Sequence, residues 1–166
     1  MELWDVYDKD RRKTDRTHKR GVPLPDGDFH LVVSIWIVND KGEFLISKRH
    51  PDKPNPNLWE CPGGSVLTGE NSYQGALREA YEEIGIDLSG YGGEIVRSVR
   101  RERDFWDAWL FHASFAIEDV VPQPDEVIDA RWAAPDEIKR LIKDGAFVPS
   151  LRYFRDMFRG SVAWWK

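Results

Sequence analysis

Three glutamates lie close together on one short predicted helix, and their spacing indicates a chemistry. The segment from Gly64 to Ile86 reads as a glycine turn followed by a helix, and Glu79, Glu82 and Glu83 fall on one side of it at about 100° per residue. Carboxylates three or four residues apart on a helix repel one another, so the group favours a cation. Hard ions such as Mg²⁺ take carboxylate and carbonyl oxygens, and complete their shells with water and substrate phosphates. The pattern therefore indicates a metal and phosphate site, although a solvated acidic face is the ordinary alternative.

The whole run resembles the signature of the Nudix (MutT-like) hydrolase family, Gly-x5-Glu-x7-Arg-Glu-apolar-x-Glu-Glu-x-Gly-apolar. Its nine specified places are filled by Gly64, Glu70, Arg78, Glu79, Ala80, Glu82, Glu83, Gly85 and Ile86. The only soft match is the alanine, at an apolar place usually held by a larger residue. We expect one Nudix domain over residues 1–166, with this box at 64–86.

The resemblance implies a reaction and a set of roles. Metal binding is assigned to Gly64, through its carbonyl, and to Glu79, Glu82 and Glu83, with Mg²⁺ or Mn²⁺ as the ion. The expected reaction is cleavage of a phosphoanhydride in a nucleoside diphosphate derivative or a related small diphosphate, by a metal-activated water. Glu82 or Glu83 is the candidate general base. Arg78 and Glu70 are expected to hold the carboxylates in place by ion pairing.

Some members of the family take the base from outside the box. The candidates in this sequence are Asp107, Asp125 and Glu126, each of which is also explained as an ordinary surface acid. The general base is therefore either one of these acids or one of the two box glutamates, Glu82 and Glu83.

Substrate identity depends on residues outside the box. Arg49 ends a predicted strand just before the loop that leads into the site, and could contact a phosphate. Trp36 and Trp59 could stack on a base or cover an apolar group. Core packing is the alternative for each tryptophan, because aromatic residues on strands usually fill the interior.

A second resemblance concerns the flanking segments. Residues 3–8, 29–49 and 125–132 are similar to the isopentenyl-diphosphate isomerase branch of the same superfamily. Isomerases use a cysteine in a Cys-Gly-His-like motif several residues after a loop tryptophan, whereas Cys61 lies two residues after Trp59 and precedes Pro62. The isomerase box is degenerate, and this one is intact. Hydrolysis on an isomerase-like frame is expected, with an isomerase or a binding module without turnover as the alternatives.

The elements that must position these residues can be read from the same sequence. Asn71 or Ser72 is expected to cap the box helix, with Gln74 as capping-box partner and Gly85 as the stop. An apolar arc is expected to face the core; it consists of Ala76, Leu77, Ala80, Tyr81 and Ile84.

The remaining chain alternates strands with helices. Strands are predicted at 3–8, 29–38, 44–49, 94–103, 105–117 and 127–132, helices at 135–143 and 150–160, and loops at 9–27 and 50–57. The 29–38 and 44–49 strands should form a hairpin. This order predicts an α/β (α+β) domain, which the resemblance sharpens to an α-β-α sandwich with a mixed sheet.

Composition narrows the class of protein. The net charge of −5 over 166 residues argues against general nucleic-acid binding. The single cysteine excludes an internal disulfide, and no apolar run approaches the length of a membrane span. The N-terminus lacks the order of a signal peptide, so a cytoplasmic location is expected. The Trp164–Trp165 end could provide a homodimer contact.

Overall fold

A mixed β-sheet organises the computed structural model, which describes residues 1–158. The strands are β1 (Leu3–Tyr7), β2 (Lys13–Lys19), β3 (His30–Val38), β4 (Phe44–Arg49), β5 (Trp59–Glu60), β6 (Gly63–Ser65), β7 (Gly93–Arg100), β8 (Asp104–His112) and β9 (Val127–Ala133). The helices are α1 (Ser72–Ile84), α2 (Pro135–Lys143) and α3 (Phe154–Met157), with 3₁₀ turns at Ile117–Asp119 and Pro149–Leu151.

Strand β3 lies at the centre of the sheet. The order is β5-β4-β3-β8-β7, with β6 also paired to β3 and β9 to β4. Strands β3 and β8 run parallel from His30–Asp104 to Val38–His112, and the other neighbours are antiparallel. Because β3 is covered on both faces, its sequence is a nearly continuous apolar run.

Each face of the sheet has its own apolar core. On one face, Leu31, Val33 and Ile35 pack with the buried side of α1. On the other, Trp36 and Ile46 pack with side chains of α2 and α3. Helices therefore cover both faces, which confirms the predicted α-β-α sandwich and its mixed sheet.

The predicted boundaries hold for most elements, and the exceptions have physical causes. The β3–β4 hairpin pairs only at Val38–Phe44, because β3 then turns to β6 and β4 to β9. Strand β8 ends at His112, and Ile117 begins a 3₁₀ turn. The predicted helix 150–160 is replaced, within the described residues, by a 3₁₀ turn and the short α3. The Trp164–Trp165 end lies outside the described residues.

Residues 9–27 were predicted as a solvated loop, and this prediction is wrong. Strand β2 crosses this segment and pairs antiparallel with β1. Its residues are mostly exposed, so no apolar alternation announces the strand. Ion pairs hold it instead: Lys13 contacts Asp5 at 2.7 Å and Arg16 contacts Asp28 at 2.6 Å.

Helix α1 begins and ends as the sequence predicts. The Asn71 side chain accepts from the Gln74 N–H, the Gln74 side chain accepts from the Asn71 N–H, and Gly85 ends the helix at a φ of 69°. The predicted apolar face is wrong at one position, because Tyr81 is 63% exposed. Glu83, which was predicted on the acidic side, is buried against the segment that leads from β5 into β6. No helix among residues 1–158 is long and apolar enough to span a membrane.

Candidate active site

The three glutamates of α1 line one small cavity of about 110 Å³. Helix α1 supplies Glu79, Glu82 and Glu83, and β6 closes the floor. The segment before β9 contributes Glu126. The rest of the wall is formed by Glu2, Arg20, Lys53, Gly63, Gly64, Ser65 and Gln123. We call this space the acidic cavity.

Glu83 is the most enclosed of the three box glutamates. It is 6% exposed, and its Oε2 lies 3.4 Å from the backbone N–H of Gly63, which donates to it. Burial raises the pKa of Glu83 well above its ordinary value, and the neighbouring carboxylates of Glu60 and Glu79 raise it further. Ionised Glu83 is therefore costly here unless a cation stands beside it.

Arg78 ties the acidic residues of the box together. Its Nε donates to Glu70 at 2.7 Å, and its Nη1 lies 3.0 Å from both Glu79 and Glu82. Its Nη2 donates to the Ser65 carbonyl at 2.9 Å. Burial lowers the pKa of Arg78, but the bonds to Glu70 and Glu79 outweigh it and the net pKa is raised. Burial also raises the pKa of Glu79, and Arg78 opposes that rise.

The two glycines at the floor permit close backbone approach. A Cβ on Gly63 would lie 3.1 Å from the Cα of Ser34 on β3, and Gly64 lies against the Glu79 carboxylate. Both glycines line the acidic cavity and also the neighbouring cavity described below.

The donor set fits a hard divalent cation that keeps much of its water. Among residues 1–158, no three His, Cys, Asp or Glu side chains converge as a complete metal cage. Five carboxylates nevertheless line the acidic cavity against two cations, Arg20 and Lys53. Arg20 pairs with Glu2 at 2.5 Å, and Lys53 pairs with Glu126. Arg78 pairs with Glu79 and Glu82, so five carboxylates face three cations in all. The remaining negative charge suits an ion of the Mg²⁺ type, whose shell is completed by water, carbonyl and phosphate oxygens.

A second cavity of about 240 Å³ adjoins the acidic cavity at Gly63 and Gly64. We call it the substrate cavity. Its remaining wall comes from Val32, Val33, Ser34, Arg49, Asn55, Glu60, Cys61, Arg101, Trp106, Val148, Ser150 and Leu151. Arg49, a predicted phosphate contact, donates to Glu60 at 2.7 Å and to the Pro54 carbonyl at 2.6 Å.

Sequence reasoning missed Glu60. It is 8% exposed, and burial raises its pKa while Arg49 opposes the rise. Strand β5 has only two residues, so it shows no periodicity that would mark the position. Its place directly before Cys61 and the Pro62 turn is the one signal that could have found it.

The two predicted substrate tryptophans differ in environment. Trp36 is 0% exposed, and its Nε1 donates to the Tyr153 hydroxyl at 3.0 Å. The prediction that it contacts substrate is wrong, because core side chains surround the ring. Trp59 is half-buried, with Lys48 and Arg131 over its ring. It lines neither cavity, and its substrate role stays a prediction.

The three candidate acids from outside the box, Asp107, Asp125 and Glu126, also lie in different environments. Asp107 is 0% exposed and accepts from Arg11 at 2.8 Å, Ser72 at 2.6 Å and Ser98 at 2.7 Å. Burial raises its pKa, but these bonds outweigh the burial and the net pKa is lowered. The prediction that Asp107 is a candidate base is wrong. Its oxygens already accept these hydrogen bonds, and the residue lines neither cavity. Asp125 is exposed and lines neither cavity, whereas Glu126 lines the acidic cavity.

Comparison with known proteins agrees with this geometry. A family model described as the NUDIX domain matches residues 28–154. An uncharacterized Nudix hydrolase of Listeria monocytogenes is 41% identical over 153 residues, covering 90% of this chain and 89% of that protein. An isopentenyl-diphosphate Delta-isomerase of Paenarthrobacter aurescens is 31% identical over 128 residues, covering 70% and 67%.

The fold is shared with a protein of known crystal structure from Deinococcus radiodurans. The TM-score is 0.78 at 20% identity, with 95% of this chain and all of that chain covered. At this identity the likeness concerns the fold alone, and it covers more of the chain than the matched family region does.

Proposed function

The chain belongs to the Nudix hydrolase family, and on that premise we propose that it is a divalent-metal-dependent pyrophosphohydrolase. Its substrate is a nucleoside diphosphate derivative or a related small diphosphate, cleaved at a phosphoanhydride bond. One observation carries this proposal: a cavity with excess carboxylate charge meets a larger cavity at Gly63 and Gly64. A diphosphate bridging that junction would put its phosphates at the carboxylates and its organic part in the larger space.

We assign the cation, Mg²⁺ or Mn²⁺, to Glu79, Glu82, Glu83 and the carbonyl of Gly64. When bound, such an ion supplies positive charge for the diphosphate oxygens and makes water at the site more acidic. Arg78 keeps Glu79 and Glu82 aligned, and Glu70 fixes Arg78.

Three carboxylates of the acidic cavity are candidates for the general base: Glu82, Glu83 and Glu126. Glu83 is our first choice, because it is bonded to Gly63, which lines both cavities. Glu82 is paired with Arg78 and half exposed, and Glu126 is paired with Lys53. Each of these two glutamates therefore has one carboxylate oxygen engaged by a cation.

The experiment that tests the proposal measures product release from a panel of diphosphates with Mg²⁺ and with Mn²⁺. The panel holds ADP-ribose, nucleoside di- and triphosphates, thiamine diphosphate and isopentenyl diphosphate. Glu83→Gln should lose hydrolysis by orders of magnitude. Glu118→Gln makes the same change at an exposed position that lines neither cavity, and it should leave the rate unchanged. Equal rates in wild type and Glu83→Gln would overturn the proposal.

An isomerase of isopentenyl diphosphate is the second candidate, because of the identity with the Paenarthrobacter isomerase. Cys61 lines the substrate cavity, as a catalytic cysteine should, but it is 3% exposed and burial raises the pKa of its thiol. Both facts disfavour a reactive thiolate. Loss of isomerisation in Cys61→Ser, with the fold intact, would favour this candidate.

A binding module without turnover is the third candidate. Ligand binding measured by calorimetry, with no product over hours in Mg²⁺ or Mn²⁺, would support it.

Three other features also stay predictions: a single domain over 1–166, a cytoplasmic location and a homodimer. Light scattering tests the homodimer.

A further inference from the structure

Four arginines gather around an open cleft beside the substrate cavity. Arg97 comes from β7, Arg101 from the turn after it, and Arg152 and Arg155 from the segment around α3. The space measures about 430 Å³, and its wall also contains Trp106, Pro149, Ser150, Tyr153 and Asp156. We call it the arginine cleft.

The arginine cleft continues the substrate cavity. Arg101, Trp106 and Ser150 line both spaces. Strand register gives the distance between the two ends: Gly63 pairs with Ser34, Ser34 with Ala108, and Ala108 with Arg97. Neighbouring strands lie about 4.8 Å apart, so three steps place the Arg97 backbone roughly 14 Å from Gly63.

A bulge turns Arg97 toward this space. The β7–β8 register shifts between Ile95 and Arg97, where Ile95 pairs with Trp109 and Arg97 pairs with Ala108. Residues that pair directly share a face of the sheet, so the shift puts Arg97 on the face of Ala108. Without the shift, Arg97 would share the opposite face with Ile95.

Two of the four guanidinium groups lie over aromatic rings. Arg97 lies over the Tyr153 ring at 4.7 Å, and Arg101 lies over the Trp106 ring at 4.3 Å. Both rings are themselves anchored, because Trp106 donates to Ser34 at 2.7 Å and the Tyr153 hydroxyl accepts from Trp36. A guanidinium over an aromatic face can use its N–H edges for planar contacts with phosphate oxygens, and Arg101 already uses its Nε and Nη2 edge on Asp104.

The charge of the arginine cleft opposes that of the whole chain. Arg101 is paired with Asp104 at 2.6 Å, and Asp156 adds one further carboxylate to the wall. Three other arginines remain in the wall, in a chain of net charge −5. The sites at the two ends of the joined cavities are therefore opposite in sign, acidic at the box and basic at the cleft.

We propose that the arginine cleft binds a second phosphate group of the substrate, carried by its organic part at the end remote from the cleaved diphosphate. This inference rests on the proposed function and narrows it to one substrate class: diphosphates whose organic part bears a further phosphate monoester. A substrate without that group would leave the arginine cleft unused.

Matched substrates that differ only in the distal phosphate test this inference. NADP⁺ and NAD⁺ form one pair, and coenzyme A and 3′-dephospho-coenzyme A form another. The wild type should show kcat/KM about tenfold or more in favour of the phosphorylated member, because one hydrogen bond to a charged group is enough for a difference of about that size. Arg97→Met should reduce that ratio through KM rather than kcat. Arg12→Met, an exposed arginine between β1 and β2, should leave the ratio unchanged.

A binding experiment separates this inference from the proposed function. In the Glu83→Gln protein, calorimetry should give adenosine 3′,5′-bisphosphate about tenfold tighter binding than 5′-AMP, and the additional substitution Arg97→Met should abolish the difference. Equal affinities, or no binding of either, would overturn the arginine cleft as a phosphate site even if other diphosphates are hydrolysed. A preserved preference without hydrolysis would instead overturn the proposed function alone.

Discussion

Gly64 lies so close to Glu79 that a Cβ at position 64 would stand 2.5 Å from Cδ of that side chain. The absence of a side chain on β6 therefore decides where one carboxylate of α1 sits. The obstacle is the end of a flexible side chain, so a larger residue would move Glu79 rather than the backbone.

Gly64→Ala should consequently lower kcat/KM while the protein stays folded. We expect a loss of about 10- to 100-fold, the range for disturbed metal surroundings, with a weaker apparent affinity for the activating cation. Gly90→Ala is the matched control, because a Cβ there meets nothing within 4 Å. Wild-type activity in Gly64→Ala would contradict the assignment of Glu79 as a metal ligand.

Glu83→Gln should stabilise the metal-free protein at alkaline pH. The folded-state pKa of Glu83 is raised, so its contribution to stability is complete below the unfolded pKa and is lost as pH rises through the folded pKa. In EDTA, wild type should lose stability as pH rises above about 4.5, and the variant should lose less. Chemical denaturation in EDTA should therefore give the variant a higher free energy of unfolding than wild type at pH 8.

The half-exposed Glu82 provides the control for that measurement. Glu82→Gln should barely change the free energy of unfolding in EDTA, because solvent already screens its charge. Adding Mg²⁺ should stabilise wild type more than Glu83→Gln. A destabilised Glu83→Gln protein in EDTA at pH 8 would contradict the cost assigned to the buried carboxylate.

Arg11→Met should destabilise the fold through Asp107. The variant leaves the buried Asp107 carboxylate with only the Ser72 and Ser98 hydroxyls. Removing one partner of a buried pair costs about 3–5 kcal/mol, and the partial exposure of Arg11 puts our expectation at about 2–4 kcal/mol by guanidinium denaturation.

Two further variants qualify that result. Arg12→Met, at the adjacent exposed position, should change stability by less than about 0.5 kcal/mol. Asp107→Asn added to Arg11→Met should recover part of the loss, because no unpaired charge remains. Equal losses in Arg11→Met and Arg12→Met would show that the ion pair is unimportant.

Trp36→Phe should affect stability and leave substrate binding unchanged. The smaller ring opens space among core aromatics and leaves the Tyr153 hydroxyl without the Nε1 donor, at a cost of about 1–3 kcal/mol. KM for the best substrate of the panel should equal that of wild type. A raised KM with unchanged stability would restore Trp36 as a substrate contact.

Local signals in the sequence predicted the box helix closely. The caps of this helix are formed by residues close in sequence, Asn71 with Gln74 at its start and Gly85 at its end. They therefore follow from residue type and spacing. Strand β3 was equally clear, since apolar cover on both faces leaves a continuous run. Strand β2 was missed because partners elsewhere in the chain, Asp5 on β1 and Asp28 in the loop before β3, determine its position.

The sequence predicted the site residues on helix α1, but it did not predict the residues that other parts of the chain bring to the cavity walls. Periodicity grouped Glu83 with Glu79 and Glu82, and only tertiary packing shows that the segment from β5 to β6 covers it. Asp107 could not be identified as a structural acid, because Arg11 and Ser72 reach it from distant parts of the chain. Arg97 reaches the arginine cleft through a register shift in β7, which leaves no mark in the sequence.

The parallel pairing of β3 with β8 also has a consequence for how the chain acquires its fold. His30 pairs with Asp104, so everything from β4 through β7, including α1, must be enclosed by one long loop closure. Such non-local pairing slows folding and exposes the apolar strand in the meantime. During synthesis, β3 leaves the ribosome well before β8 exists, and its bare edge is the segment for which a chaperone would compete. Nascent chains that stop before residue 104 should accordingly aggregate, whereas chains that include β8 should become resistant to protease.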